Sequence, residues 1–196
     1  MSLLNFSWHD NSRKFQKDAH AIFGASNYHW INYPDEKMIE MYVNSQAKKR
    51  GTELHELAAG LIKNKIKLPD AQLTLNMHVN DAIIYGLRPE QQLYYSEFFF
   101  GTADAIGLRD GGILRIQDYK SGKTKPSMHQ LEIYTALWCL EYGLLPGDLK
   151  DIELCIYYDD DILEDHPDVD QIVPIMDKIV TVDVVLQRLK EDGVHG

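Results

Sequence analysis

The sequence predicts a mixed α/β domain in which helices come first and strands follow. Two observations support this prediction. Apolar residues recur at helical spacing through the first half of the chain, and an aromatic-rich run over residues 93–100 then introduces strand-like segments. The length of 196 residues and the hydrophobic content of 44% suit one domain with a sizeable core.

The first half is predicted to hold three helices. One over residues 34–49 begins with proline followed by two acids, a typical helix start. Gly51 and Thr52 predict a break, with Thr52 capping a second helix over residues 53–63, and a third helix is expected over residues 69–85. The second helix is expected to bury one apolar stripe: Leu54, Leu57, Ala58, Leu61 and Ile62.

Residues 1–33 combine aromatic and polar residues without a clear period, and a short helix over residues 13–23 is one interpretation. We expect residues 1–50 to form a helical lid that packs aromatic side chains on the core. The alternative is a substrate channel wall on which bases stack.

The second half is predicted to contain three strands, a helix, a fourth strand and a last helix. No repeat or linker interrupts this order, so residues 1–196 are expected to form a single domain with its core at 51–160 and a C-terminal helix within 161–196. The predicted elements are strands over 93–100, 102–109 and 113–120, a basic loop over 121–127, a helix over 128–142, a strand over 152–158, an acidic loop over 159–167 and a helix over 168–191.

Charge limits the range of functions. Twenty basic and 30 acidic residues give a net charge of −10. This argues against a protein that coats nucleic acid non-specifically, because such binding relies on phosphate neutralisation by Lys and Arg. An enzyme with a local basic groove beside an acidic site remains compatible with this charge.

Several features predict a cytoplasmic protein without a membrane segment. No apolar run approaches the roughly 18 residues of a membrane span, and the first residues lack the apolar core of a signal peptide. Cys139 and Cys155 fall in helix and strand patterns, which favours packed thiols over a disulfide. Two cysteines are too few to ligate a four-cysteine cluster.

Carboxylates and a lysine meet on two neighbouring predicted strands. Asp118 and Lys120 share one face of their strand, because side chains alternate. A three-residue loop at 110–112 would pair Arg109 with Ile113 and place Asp104 opposite Asp118.

That register decides whether a metal site forms. A two-residue Gly-Gly turn would instead set Asp104 opposite Tyr119, on the wrong face. Two facing carboxylates repel each other unless a cation lies between them. The three-residue loop therefore predicts a divalent metal site suited to phosphodiester hydrolysis, with Lys120 stabilising charge or orienting water.

Two further side chains are candidates for the same ion. His55, near the start of a predicted helix, would supply an imidazole, which suits Mn²⁺; the alternative is a partly buried structural histidine. A tight turn at residues 100–101 would place Glu97 opposite Asp104, as an accessory ligand or an ordinary strand carboxylate. Gln130 and Tyr134 lie four residues apart on one helical face, pointing either to the site edge or to solvent and core.

Four motifs in order resemble the RecB-like branch of the PD-(D/E)XK nuclease superfamily, which includes the lambda-exonuclease-like enzymes. They are G-T-E-L-H at 51–55, G-T-A-D at 101–104, D-Y-K at 118–120 and Q-L-E-I-Y at 130–134. Residues 26–33, S-N-Y-H-W-I-N-Y, also resemble the segment that leads into small phage-encoded exonucleases of this group.

The resemblance implies a restriction-endonuclease-like αβββαβ core: a small mixed sheet flanked by helices, with an N-terminal helical extension. It implies His55, Asp104, Asp118 and the Tyr119 carbonyl as ligands of Mg²⁺ or Mn²⁺, and Asp104, Asp118 and Lys120 as catalytic residues. Gln130 and Tyr134 would position DNA. Some relatives carry four cysteines for an iron–sulfur cluster; this chain has two, so no cluster is expected.

The function that follows is a metal-dependent DNA exonuclease, a phosphodiester hydrolase of phage or bacterial DNA recombination and repair. A recombinase or single-strand annealing protein is a candidate partner, and a homo-oligomer is compatible with the family. Two alternatives stay open at this point. One is a structure-specific or restriction-type endonuclease, and the other is a non-catalytic nucleic-acid-binding module on the same fold.

Overall fold

The structure, a computed structural model, describes residues 21–122 and 124–193. Within these ranges it is a mixed α/β arrangement in which helices flank one five-stranded sheet, as predicted for the class. The helices are α1 (Asp35–Lys63), α2 (Thr74–Ile84), α3 (His129–Tyr142) and α4 (Val169–Glu191). The strands are β1 (Arg88–Ser96), β2 (Phe99–Arg109), β3 (Ile113–Lys120), β4 (Asp151–Tyr158) and β5 (Asp161–Asp165).

The chain consists of two compact units, and the boundary between them lies between Lys49 and Arg50. In the first unit a 3-10 helix, Ala25–Asn32, precedes α1, and the Trp30 indole donates to the Gly24 carbonyl at 3.1 Å. The expected helix over residues 13–23 lies mostly outside the described residues, and residues 21–24 contain a turn instead. The roles predicted for 1–50 as a lid and for 1–196 as a single domain stay predictions.

The predicted break at Gly51 and Thr52 is wrong, because α1 runs through both residues. A helix-interior glycine costs only about 1 kcal/mol relative to alanine, which tertiary contacts outweigh. A Cβ at residue 51 would lie 3.1 Å from Ser121 Oγ, so glycine permits a close approach to the segment after β3. Of the stripe predicted to be buried, Ala58 and Ile62 are buried, whereas Leu57 is about half exposed.

Helix α2 begins at Thr74, five residues later than predicted. The Asn80 amide ties the segment before this helix to the helix itself, because it bonds both backbone groups of Leu68. Its oxygen accepts from the Leu68 N–H at 2.9 Å, and its nitrogen donates to the Leu68 carbonyl at 3.0 Å. No helix of the described residues combines the length and apolar character that crossing a membrane requires.

The sheet has the strand order β1-β2-β3-β4-β5. Strands β3 and β4 are parallel and are connected through α3, and every other neighbouring pair is antiparallel. Strand β3 covers the predicted residues, and Arg109 pairs with Ile113 across the three-residue loop. The register on which the metal-site prediction depends is therefore confirmed at that hairpin.

The turn between β1 and β2 differs from the prediction. It lies at residues 97–98, because Ser96 pairs with Phe99 and Tyr94 pairs with Phe100. The Ser96 hydroxyl stabilises this turn by accepting from the Phe98 N–H at 3.2 Å. The predicted turn at residues 100–101, and with it Glu97 opposite Asp104, is wrong.

The acidic segment 159–167 is not simply a loop, because it contains β5. Asp159 and Asp160 form a two-residue turn between β4 and β5, with φ of 48° and 58°. Aspartate tolerates this left-handed conformation, which a tight hairpin requires at both central positions. The part of the chain predicted as C-terminal helix, residues 161–196, therefore begins with strand β5, and α4 follows it.

Each face of the sheet is covered by helices. The larger core joins the strands to α3 and α4 through residues such as Leu131, Ile116 and Ile172. A smaller core joins α1 and α2 to Ala105. Cys139 and Cys155 are buried free thiols, as expected, and burial raises their pKa values to about 11 and about 12.

Candidate active site

The backbone ladder between β2 and β3 ends just before the predicted site. Its last pair is Ala105 with Gln117, so one further step in the same register sets Asp104 opposite Asp118. At that step a side chain replaces the backbone as hydrogen-bond acceptor, because Asp104 Oδ2 accepts from the Tyr119 N–H at 2.8 Å. The carboxylate of Asp104 thus lies where the two strands separate.

Three potential metal ligands gather at this point. Ligand atoms of His55, Glu90 and Asp104 all lie within 4.8 Å of one another. His55 comes from α1, and its Nδ1 is 3.2 Å from Asp104 Oδ2. An imidazole with two carboxylates is a donor set that suits Mn²⁺ or Mg²⁺. The residues present therefore fit a divalent cation.

Glu90 reaches this group through the register of the first hairpin. Pro89 pairs with Ala105 and Gln91 pairs with Ala103, so Glu90 lies opposite Asp104. Its φ of 49° is in the left-handed region, which is uncommon for glutamate and marks an irregularity in β1. Partial burial and the charge of Asp104 raise the pKa of Glu90.

His55 and Asp104 form a mutually stabilising pair. The hydrogen bond to Asp104 raises the pKa of His55, against the effect of partial burial. Burial opposes ionisation of Asp104, but the hydrogen bond and charge of His55 hold the pKa of Asp104 below its ordinary value. The pair therefore has a net charge of −1 when the imidazole is neutral and no net charge when the imidazole is protonated.

Asp118 is the most buried acid of the site, with 2% of its surface exposed. Burial, followed by the negative charge of Asp104, raises the pKa of Asp118 to about 6. Lys120 Nζ lies 2.9 Å from Asp118 Oδ2 and 3.1 Å from Oδ1, and the contact to Oδ1 has hydrogen-bond geometry. Asp118 is outside the three-ligand group but interacts electrostatically with Asp104 and His55.

Helix α3 extends the site through a chain of hydrogen bonds. Lys120 Nζ donates to Gln130 Oε1 at 3.0 Å, and Gln130 Nε2 donates to the Tyr134 hydroxyl at 3.0 Å. Gly101 lies beside the Tyr134 ring, where a Cβ would be 2.7 Å from Cε1. The two residues predicted at the substrate edge therefore lie next to the lysine.

Aromatic rings pack next to His55. The Tyr119 ring lies between His55, at a centroid distance of 5.3 Å, and His78, at 5.9 Å. His78 is buried, and burial lowers its pKa to about 4, so it is neutral near pH 7. Tyr119 donates its backbone N–H to Asp104, whereas its carbonyl as a metal ligand stays a prediction.

The structure brings most of the predicted residues together and corrects one. His55 meets Asp104, and Asp118, Lys120, Gln130 and Tyr134 form a connected set. Glu97, a possible accessory ligand by sequence, instead binds Lys190 at 2.6 Å. Glu90 lies opposite Asp104, the position that the sequence predicted for Glu97. Counting back from the turn at residues 97–98 alone would give Gln91. The register shift between Tyr94 and Ser96 moves the partner of Asp104 to Glu90, and the aromatic run signals neither the turn nor the shift.

The chain shows little similarity to known proteins. No protein-family model and no curated protein matches it. One solved structure, titled "Crystal structure of SSO0001", matches with 18% identity and a TM-score of 0.29. The match covers 50% of this chain and 52% of that one, so the chain spans about half of its length. A TM-score this low assigns neither a fold family nor a function.

Proposed function

We propose that this protein is a metal-dependent DNA exonuclease that hydrolyses phosphodiester bonds. The proposal rests mainly on one observation: His55, Glu90 and Asp104 form a potential ligand group beside the buried Asp118 and its partner Lys120. A buried acid next to a second acid is unfavourable without a cation, which accounts for the raised pKa of Asp118. Such a cluster is more readily explained by metal binding than by stability.

The order of elements supports the resemblance to PD-(D/E)XK nucleases. A helix bearing His55 precedes three antiparallel strands, and α3 then connects to a strand parallel to β3. This order agrees with a restriction-endonuclease-like αβββαβ core, which we include in the proposal. Strand β5 and helix α4 follow as additions to that core.

Each residue has a proposed role. His55, Glu90 and Asp104 would hold Mg²⁺ or Mn²⁺, with Asp118 and the Tyr119 carbonyl as further oxygen ligands. When bound, the cation would polarise the phosphate and lower the pKa of a water molecule. Lys120 stabilises negative charge at the scissile phosphate or orients the water. Its ammonium group is already fixed by Asp118 and Gln130, which reduces the entropy lost on positioning it.

Gln130 and Tyr134 form the proposed substrate edge. Both side chains lie on α3, and the amide links Lys120 to the Tyr134 hydroxyl. An amide and a phenol donate hydrogen bonds to phosphate oxygens without discriminating between bases. This edge suits a nuclease that acts irrespective of sequence.

The experiment is digestion of end-labelled linear DNA and covalently closed circular DNA, with Mg²⁺ or Mn²⁺ and with EDTA. The wild-type protein should degrade linear DNA progressively with either metal and leave closed circles intact. Lys120→Ala should reduce the rate by at least about 100-fold, because it removes a charge that acts on the reacting phosphate. Lys125→Ala, an exposed lysine five residues later, is the matched control and should retain activity.

The alternatives have distinct outcomes. Cleavage of closed circles would replace the exonuclease with an endonuclease. DNA binding without hydrolysis under any metal would favour the non-catalytic binding module. Full activity of Lys120→Ala would contradict the assigned site.

A further inference from the structure

The first hairpin presents two exposed aromatic rings near the candidate site. Tyr94 and Phe100 pair across β1 and β2, and their rings stack with centroids 6.4 Å apart and 26° between planes. Exposed fractions are 55% for Tyr94 and 67% for Phe100. Both side chains keep more than half of their surface exposed although the rings are neighbours, so a flat ligand has ring surface to cover.

The position of this pair connects it to the site. Phe100 and Asp104 are four residues apart on β2, and the alternation of side chains places them on one side of the strand. At roughly 3.3 Å per strand residue the separation is about 13 Å, or about four stacked nucleotides at ~3.4 Å each. A DNA strand that follows β2 to the proposed metal ligands would therefore pass the two rings.

Contacts with α4 hold the hairpin that carries the rings. The Ser96 hydroxyl donates to the Asp183 carboxylate and accepts from the Phe98 N–H. Lys190 Nζ binds both oxygens of Glu97, at 2.6 and 2.8 Å. A hairpin fixed in this way can stack on a base without losing much conformational entropy.

The β1 edge favours a planar ligand over a peptide strand. The Tyr94 N–H already donates to Glu141 at 2.9 Å, so it is not available to extend the sheet with another chain. Stacking acts on the uncharged bases, so the net charge of −10 does not oppose this part of the affinity.

We infer that Tyr94 and Phe100 form a base-stacking platform that holds a single DNA strand about four nucleotides from the metal ligands. The platform tolerates any sequence, because every base offers a flat face. This inference rests on the proposed function for its substrate class, DNA. It adds that the protein binds an unpaired strand, so a duplex end must fray before it reaches the site.

The test compares two single-stranded oligonucleotides of equal length in EDTA, where no cleavage occurs. One carries bases throughout and the other contains consecutive abasic residues. Wild-type protein should bind the complete oligonucleotide about tenfold more tightly in fluorescence anisotropy, since stacking requires bases. Tyr94→Ala and Phe100→Ala should each remove most of this preference, and Phe100→Trp should keep it.

Leu108→Ala is the matched control, because Leu108 is an exposed apolar residue of β2 beyond Asp104, 55% exposed. It should leave the preference unchanged. Thermal melting of each variant identifies any that fails to fold, and the other alanine variant then carries the comparison, with Phe100→Trp as the variant expected to keep the preference. Equal wild-type affinity for the two oligonucleotides, or an unchanged preference in Phe100→Ala, would overturn the platform.

The outcome is separable from that of the proposed function. Base-dependent binding that depends on Phe100, together with no hydrolysis in Mg²⁺ or Mn²⁺, would support the platform and contradict the nuclease. Hydrolysis that needs Lys120, together with unchanged binding by Phe100→Ala, would support the nuclease and overturn the platform.

Discussion

The ring of Tyr134 occupies the space beside Gly101 that the Cβ of any other residue would need. A Cβ at this position would lie 2.7 Å from Tyr134 Cε1 and 3.6 Å from Cδ1. The contact links β2 to α3 three residues before Asp104. It gives the glycine of the G-T-A-D motif a physical reason that does not depend on backbone conformation.

Gly101→Ala should displace the Tyr134 ring and disturb the hydrogen bonds from Tyr134 to Gln130 and from Gln130 to Lys120. We expect a loss of about 1–3 kcal/mol in unfolding free energy, typical of overpacking, together with slower DNA cleavage. Denaturant unfolding and the linear-DNA assay measure the two effects. Gly60→Ala in α1 is the matched control: a Cβ there meets nothing within 4 Å, so its stability should stay level or increase. Normal stability and activity of Gly101→Ala would show that the ring adjusts freely.

Glu90→Gln should weaken Mn²⁺ binding by about tenfold or more, because it removes an anionic ligand from the group. Isothermal titration calorimetry with the metal alone provides the measurement. Glu97→Gln is an informative control, since Glu97 binds Lys190 and should not affect the metal. A larger effect at Glu97 than at Glu90 would contradict the observed register of the first hairpin.

Asp118 should make the metal-free protein less stable as the pH rises from about 4 to 6. Its pKa is about 6 in the folded protein against an ordinary 3.8, so the folded state binds more protons than the unfolded state within this window. Stability therefore falls with increasing pH, by about 3 kcal/mol in total for a shift of this size. The opposing contribution of Asp104, whose pKa is lowered, is lost only below pH 3.8.

Asp118→Asn should remove this part of the pH dependence, measured by urea unfolding in EDTA at several pH values between 4 and 6. Asp110→Asn, in the exposed loop between β2 and β3, should keep the slope of the wild type. An identical slope in wild type and Asp118→Asn would contradict the raised pKa.

Tyr157→Phe should destabilise the protein by about 1–3 kcal/mol, because it leaves buried polar partners unsatisfied. The Tyr157 hydroxyl donates to Asp81 at 2.7 Å and accepts from Gln117 and Arg115 at 3.0 and 3.3 Å. Denaturant unfolding measures the loss. Tyr158→Phe, at the neighbouring half-buried residue, should change stability by no more than about 0.5 kcal/mol. Similar effects at both positions would assign the loss to general packing.

The sequence predicts those parts of the fold whose signal lies in neighbouring residues. The loop at residues 110–112 contains its own turn chemistry, so the register of Arg109 with Ile113 follows directly. The aromatic residues before Gly101 have similar strand preference throughout, so nothing in their pattern locates the turn at residues 97–98. The register shift between Tyr94 and Ser96 has no sequence signal either, and the two together explain why the pattern points to Glu97 as a possible accessory ligand and does not identify Glu90.

Other differences also have tertiary causes. Gly51 is a helix breaker by propensity, but it lies inside α1, where it allows Ser121 to approach. Strand β5 is rich in acids and is recognisable only by its pairing with β4. His78 follows the helical pattern of its neighbours, and its burial between the rings of Tyr119 and Tyr157 depends on the assembled sheet.

The hydrogen bond from the Tyr119 N–H to Asp104 has a consequence for mutational work on this protein. Because Asp104 accepts the Tyr119 N–H where the backbone pairing of β2 with β3 stops, its removal would weaken the contact between the strands there as well as take away a proposed metal ligand. An inactive Asp104 variant would therefore report on sheet integrity and chemistry together. The ammonium group of Lys120 bonds the side chains of Asp118 and Gln130, so Lys120→Ala should leave the pairing of β2 with β3 in place and tests the proposed chemistry more directly.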